Sequence, residues 1–113
     1  MKENKAEKRR EQYEKKLGIF LKRLRAERKL SLRDVGEKAD MNFTYLSHLE
    51  THNREKAKLP SVEILNKLFA VYKLNEKERI EFLEIYFHLM MPEIYLNDLT
   101  TAKIKSIIKS LEA

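Results

Sequence analysis

Apolar residues recur along most of this chain with a helical period. Leu17, Phe20, Leu21 and Leu24 fall at i, i+3, i+4 and i+7, one face of an amphipathic helix running to about Lys29. Leu32, Val35 and Ala39 mark a second, shorter face, and Leu46 and Leu49 a third. Leu65, Leu68, Phe69 and Tyr72 give a fourth, entered from Pro60-Ser61. A fifth helix starting near Asn75 and ending at Pro92 carries Ile80, Phe82, Leu83, Ile85, Tyr86, Phe87, Leu89 and Met90, which cover more than one face. A helix apolar most of the way round must be covered most of the way round. Beyond Tyr95 and Leu96, Ile104, Ile107, Ile108 and Leu111 return to a single stripe. Either this last helix folds back on the fifth, or the two form a dimer interface; the pattern fits a mixture that leaves a patch for a twofold mate.

Local signals agree on where these helices begin. Ser31 can accept from the backbone N–H of Asp34, whose carboxylate favours the positive helix end. Asn42 is a good N-cap, Ser61 another, and Asn75 with Glu78 forms a capping box. Gly36 costs about 1 kcal/mol inside a helix, which calls for a reason such as close approach of a neighbouring helix. Between Ala39 and Asn42 there is room only for a tight turn, with Met41 as an apolar plug. Residues 31–50 therefore read as two short helices locked together, with Phe43, Thr44, Ser47 and His48 on the outer face of the second.

Only Ala6 and Tyr13 are apolar between the initiator and Lys16, so this segment reads as a frayed arm or a helical extension. Pairs such as Glu7/Arg10 and Glu11/Lys15 support a helix by only about 0.2–0.5 kcal/mol each. The expected division is a basic extension over 1–16, a helical domain over 17–90 that holds the two-helix unit and a C-terminal helical segment over 91–113.

Charge sharpens this picture. The chain of 113 residues has a net charge of +6, but residues 1–29 hold 12 Lys/Arg against 5 Asp/Glu, whereas the rest hold 12 against 13. A basic flank beside a small domain suggests a polyanionic partner, or simply a solvated helix. With no cysteine, no apolar run of the ~20 residues a membrane span needs and no apolar signal core, the expectation is a cytoplasmic protein without membrane contact. Enzymatic chemistry is not expected: no Gly-rich phosphate loop is present, and no carboxylate pair is set against a base. His48 and His52 stand at i, i+4 but lack a third ligand, so neither metal nor cofactor is expected.

The string Tyr45-Leu46-Ser47-His48-Leu49-Glu50, with Gly36, the Met41 plug and the helix order from Leu17 to Leu83, resembles the lambdoid Cro/repressor-type helix-turn-helix, the XRE family. The resemblance implies an all-α, five-helix repressor-like domain, here with an extra C-terminal helix and a basic N-terminal arm or helix. It also implies a second motif helix, residues 42–51, lying in the major groove of double-stranded DNA. Carried over by position, Asn42, Phe43, Thr44 and His48 would read bases. Arg23, Arg33, Tyr45, Ser47, Arg54, Lys56 and Lys58 would meet the backbone. Phe43 can instead fold onto the core, the cations of the Thr51–Leu59 loop can be merely solvated, and the Glu50 carboxylate suits an ion pair with Arg23 or Arg54 better than DNA. Leu32 stands where relatives often carry Gln, and the glycine that often follows the Glu is missing. The implied function is a sequence-specific transcriptional regulator, a repressor binding a palindromic operator as a homodimer. The competing reading is a protein-interaction module, an antitoxin or adaptor, that uses the apolar fifth and last helices to hold a protein partner.

Overall fold

The computed structural model describes residues 5–53, 56, 58–90 and 100–112. Among them are six helices and no strand: α1 (Lys5–Glu27), α2 (Leu32–Ala39), α3 (Phe43–Glu50), α4 (Val62–Tyr72), α5 (Glu76–Met90) and α6 (Thr101–Glu112). The fold is all-α, as the periodicity predicts, and has the helix-turn-helix arrangement that the resemblance implies. Pro92, Tyr95, Leu96 and Leu99 lie outside the described residues.

The starts of the helices from α2 onward are fixed by side chains that accept from the free N–H groups of the first turn. Ser31 Oγ accepts from the Asp34 N–H at 3.0 Å while Asp34 Oδ2 accepts from the Ser31 N–H at 2.8 Å, the reciprocal box that opens α2. These bonds hold the Asp34 carboxyl below its ordinary range. Asn42 Oδ1 accepts from the Thr44 N–H at 2.8 Å, and Ser61 Oγ from the Ile64 N–H at 3.3 Å. A second reciprocal box, between Asn75 and Glu78, opens α5 at 2.8 and 3.1 Å. Helices α2 and α4 stop at Asp40 (φ 52°) and Lys73 (φ 50°), each in the left-handed conformation that turns the chain away.

One core joins all six helices. Leu24, Val35, Leu65, Leu68, Phe82 and Leu83 are at most 1 % exposed, and burial of each such side chain contributes roughly 1.5–3 kcal/mol. Phe82 sits at the centre, edge-on to both Phe20 and Phe69 with ring centroids 5.6 Å apart.

The wide apolar surface of α5 is covered within the chain, from two sides. On one side α6 folds back, burying Ile104 and Ile108 in the core, with Lys105 paired to Glu76 at 3.1 Å. On the other lies the N-terminal half of α1. This helix runs unbroken from Lys5 across residue 16, so the basic segment is helical rather than frayed over its described part. Tyr13 stacks on His88 of α5 with centroids 4.1 Å apart and planes 11° from parallel. Arg9 Nη2 donates to His88 Nδ1 at 2.7 Å, and Arg10 Nη2 to the Leu89 carbonyl at 3.3 Å. Burial, and next the Arg9 cation, hold His88 below its ordinary pKa, so the imidazole stays neutral and can accept.

Candidate nucleic-acid interface

The position of α3 depends on two glycines. A Cβ at Gly36 would lie 2.8 Å from the Met41 carbonyl oxygen and 3.4 Å from Phe43 Cβ, so the missing side chain lets the turn and the first residue of α3 close onto α2. A Cβ at Gly18 would lie 2.4 Å from the Glu50 carbonyl oxygen, so α1 crosses the end of α3 backbone to backbone. Gly36 meets the expectation of close approach. The role of Gly18 was not anticipated from the sequence.

An ion pair ties the same two helices. Glu50 accepts two parallel hydrogen bonds from Arg25, at 2.8 and 2.9 Å, in a site where its side chain is only 7 % exposed. Arg25 also donates to the Leu30 carbonyl at 3.2 Å, and its bonds to Glu50 push its pKa up. This corrects the expected partner of Glu50, Arg23 or Arg54. Arg23 points instead along α5, 3.1 Å from Glu81 and stacked over Phe20. The rotation of α1 set by Gly18 puts Arg25, not Arg23, over the end of α3. Arg28 is spent internally as well: it donates to both Glu78 oxygens at 2.8 and 3.0 Å and to the Tyr72 carbonyl. Burial opposes ionisation of Glu78, but bonds from the Asn75 N–H and Arg28 hold its carboxyl below the ordinary range.

With Leu46 and Leu49 buried and Glu50 neutralised, the opposite side of α3 is left as a strip of Phe43, Thr44, Ser47, His48 and Thr51. Phe43 is 43 % exposed, with the Arg33 guanidinium 5.5 Å above its ring. It stands on the strip rather than in the core. Thr44 is exposed, whereas Ser47 and His48 are half-buried. Asn42 is exposed but has committed its side-chain oxygen to the cap, which leaves its amide NH2 for an outside partner.

The remaining residues divide between support and display. The Tyr45 ring is half-buried and its hydroxyl donates to the Lys58 carbonyl at 2.7 Å. Burial pushes this hydroxyl up to about 12, so it remains a donor across the working pH range. Tyr86 holds the Pro60 carbonyl in the same way at 2.6 Å, and together the two tyrosines fix the exit of the loop. Lys56 and Lys58 are exposed on that loop; Arg54 lies outside the described residues. Among the described residues no group of three or more His, Cys, Asp or Glu is placed to hold a metal ion, and no helix is long and apolar enough to cross a membrane.

Comparison with known proteins agrees with this geometry. A family model described as a helix-turn-helix domain matches residues 16–82, more than half of the chain, from the first core turn of α1 into α5. No curated protein and no solved structure matches it. The match takes in the capped α2, the tight turn and the exposed α3 strip, the parts from which such domains build a DNA-binding surface. The chain therefore belongs to the helix-turn-helix domain family of DNA-binding regulators.

Proposed function

We propose that this protein is a sequence-specific transcriptional regulator that inserts residues 42–51 into the major groove and represses by occluding a promoter as a homodimer on a palindromic operator. The observation that carries the reading is the two-sidedness of α3. Its inner side is locked by Leu46, Leu49 and the Arg25–Glu50 pair, while its outer side presents the exposed Phe43 and Thr44 and the partly exposed Ser47 and His48. A rigid helix with an open polar face is what base recognition requires, because each good bidentate base contact discriminates by about 1–3 kcal/mol only if its geometry is fixed.

In this reading Thr44, His48 and the Asn42 amide donate to or accept from base edges, and Phe43 packs on a thymine methyl. Arg33, Ser47, Arg54, Lys56 and Lys58 meet phosphates. Tyr45 acts by holding Lys58 in place, since its hydroxyl is already bonded there. Arg23 is left out of the interface because Glu81 draws it to the α5 side. Two motifs related by a twofold axis match half-sites about one helical turn apart. The rival reading, a protein-interaction module, is less well supported, because the apolar faces of α5 and α6 that it needs are largely spent on each other and on α1.

Fluorescence anisotropy against genomic fragments tests the proposal. Salt-sensitive binding at low micromolar protein is expected. Thr44→Ala and His48→Ala should change sequence preference, whereas Lys58→Ala should weaken all sequences alike and flatten the salt dependence. Absence of binding by the wild-type chain would overturn the reading.

A further inference from the structure

Beside the α3 strip lies a cleft of about 280 Å³, of whose lining residues the proposed function brings only His48 and Lys58 to DNA. It opens between the N-terminal half of α1, the C-terminal end of α3 and the loop that follows. Leu17, Leu49 and Leu59 line it with apolar surface, and Arg10, His52 and Lys58 line it with cationic or protonatable groups. His48 belongs to both the cleft and the strip, so the two surfaces are continuous.

We propose that this cleft takes a sugar–phosphate unit of the DNA backbone, which makes the N-terminal half of α1 part of the DNA interface. The inference rests on α3 entering the major groove. That groove is about 12 Å wide and a helix with its side chains about 10–12 Å across, so a helix lying in it has a phosphate strand along each flank. On one flank of α3 stands Arg33, above Phe43. On the other stands the cleft. A deoxyribose presents an apolar face and the adjoining phosphate an anionic one, which matches leucines beside cations better than a base edge does. Arg10 is the element that the basic segment adds. It is brought alongside His48 because α1 continues through Lys16, and its side chain is steadied by the Leu89 carbonyl, which takes one of five guanidinium donors. Glu14 is the single carboxylate among the lining residues and opposes an incoming phosphate.

The test is anisotropy as a function of salt on a selected site and a scrambled one, for the wild-type chain and for Arg10→Ala, His52→Ala and Glu14→Gln. Each phosphate contact removed lowers the slope of log K against log salt by about 0.9. Arg10→Ala should do this and weaken both DNAs by the same factor, about tenfold. His52→Ala should weaken both less, and Glu14→Gln, which leaves the Leu89 contact intact, should strengthen both. In a parallel arm, inorganic phosphate is titrated against the labelled protein, reading the Asn53 and Leu59 amides. Loss of the slope change in Arg10→Ala and an indifferent Glu14→Gln, with sequence preference retained by the wild type, would overturn this inference and leave the proposed function standing. Saturable shifts with inorganic phosphate combined with unchanged DNA slopes would reassign the cleft to a free anion and also overturn it. No DNA binding by the wild type would remove both readings.

Discussion

The motif pair α2–α3 and the outer layer formed by α5, α6 and the N-terminal half of α1 are held by different means. In the motif, short helices of eight residues each cannot bury much, and their geometry is set by directional devices: caps, two glycines at van der Waals limits and a bidentate ion pair. In the outer layer, long helices bury apolar stripes, and the polar contacts are peripheral, such as Lys105 to Glu76 or Arg9 to His88. The difference is one of tolerance. A hydrophobic stripe accepts small shifts, whereas a reading helix must be fixed in rotation and depth, which directional contacts do and apolar ones do not.

Mutations on the two sides should therefore behave differently. The largest effect is expected from Glu50→Ala, which leaves the poorly exposed Arg25 guanidinium without its partner. Full burial would cost 3–5 kcal/mol, and with Arg25 partly solvated we expect a loss of about 3 kcal/mol in denaturant unfolding together with loss of DNA binding. Gly18→Ala comes next. Helix propensity alone predicts a gain of about 1 kcal/mol, but the added carbon would press on the Glu50 and Leu49 carbonyls, so a net loss of about 2 kcal/mol is expected. A stabilised Gly18→Ala variant would show that α1 and α3 are not in backbone contact. In the outer layer, Ile108→Val should cost about 1 kcal/mol and leave the affinity for DNA unchanged. A loss of DNA affinity there would erase the distinction between the two regions.

The smallest effect concerns pH. His88 titrates below its ordinary value in the folded chain because of burial, the Arg9 cation and Lys16, with Glu84 acting in the opposite sense. A lowered folded value means that protonation favours unfolding. Its contribution is complete above the unfolded value of about 6.5 and is lost as pH falls from there through the folded value. His88→Phe, which preserves an aromatic face for Tyr13, should remove that part of the pH dependence as read by proton NMR of the α1–α5 contact. A pH dependence unaltered by this substitution would place the titrating group elsewhere.

What was legible in the sequence follows the same division. The caps at Ser31, Asn42, Ser61 and Asn75 are local, so residue type and spacing suffice to read them. The inward stripes are periodic, and the excess apolar width of α5 correctly announced that something must cover it. The partner of Glu50 was not legible. Arg23 and Arg25 look equivalent on the outer face of an isolated helix, and only the crossing of α1 over α3 at Gly18 separates them. The docking of the N-terminal half of α1 was hidden for another reason: it depends on one apolar residue, Tyr13, and on two arginines whose partners lie 79 positions away. The exposed stance of Phe43 was legible from helical geometry, which put it on the outer face of α3, and the structure leaves it there rather than folded onto the core.

The central claim is that the open strip of α3 reads DNA. Selection of bound sequences from a random duplex pool tests it most directly, run in parallel for the wild-type chain and Thr44→Ala. The account predicts enrichment of a palindrome with half-sites about one helical turn apart, and a changed preference inside each half-site for the variant. Failure to enrich any sequence, or an identical motif from both proteins, would contradict it.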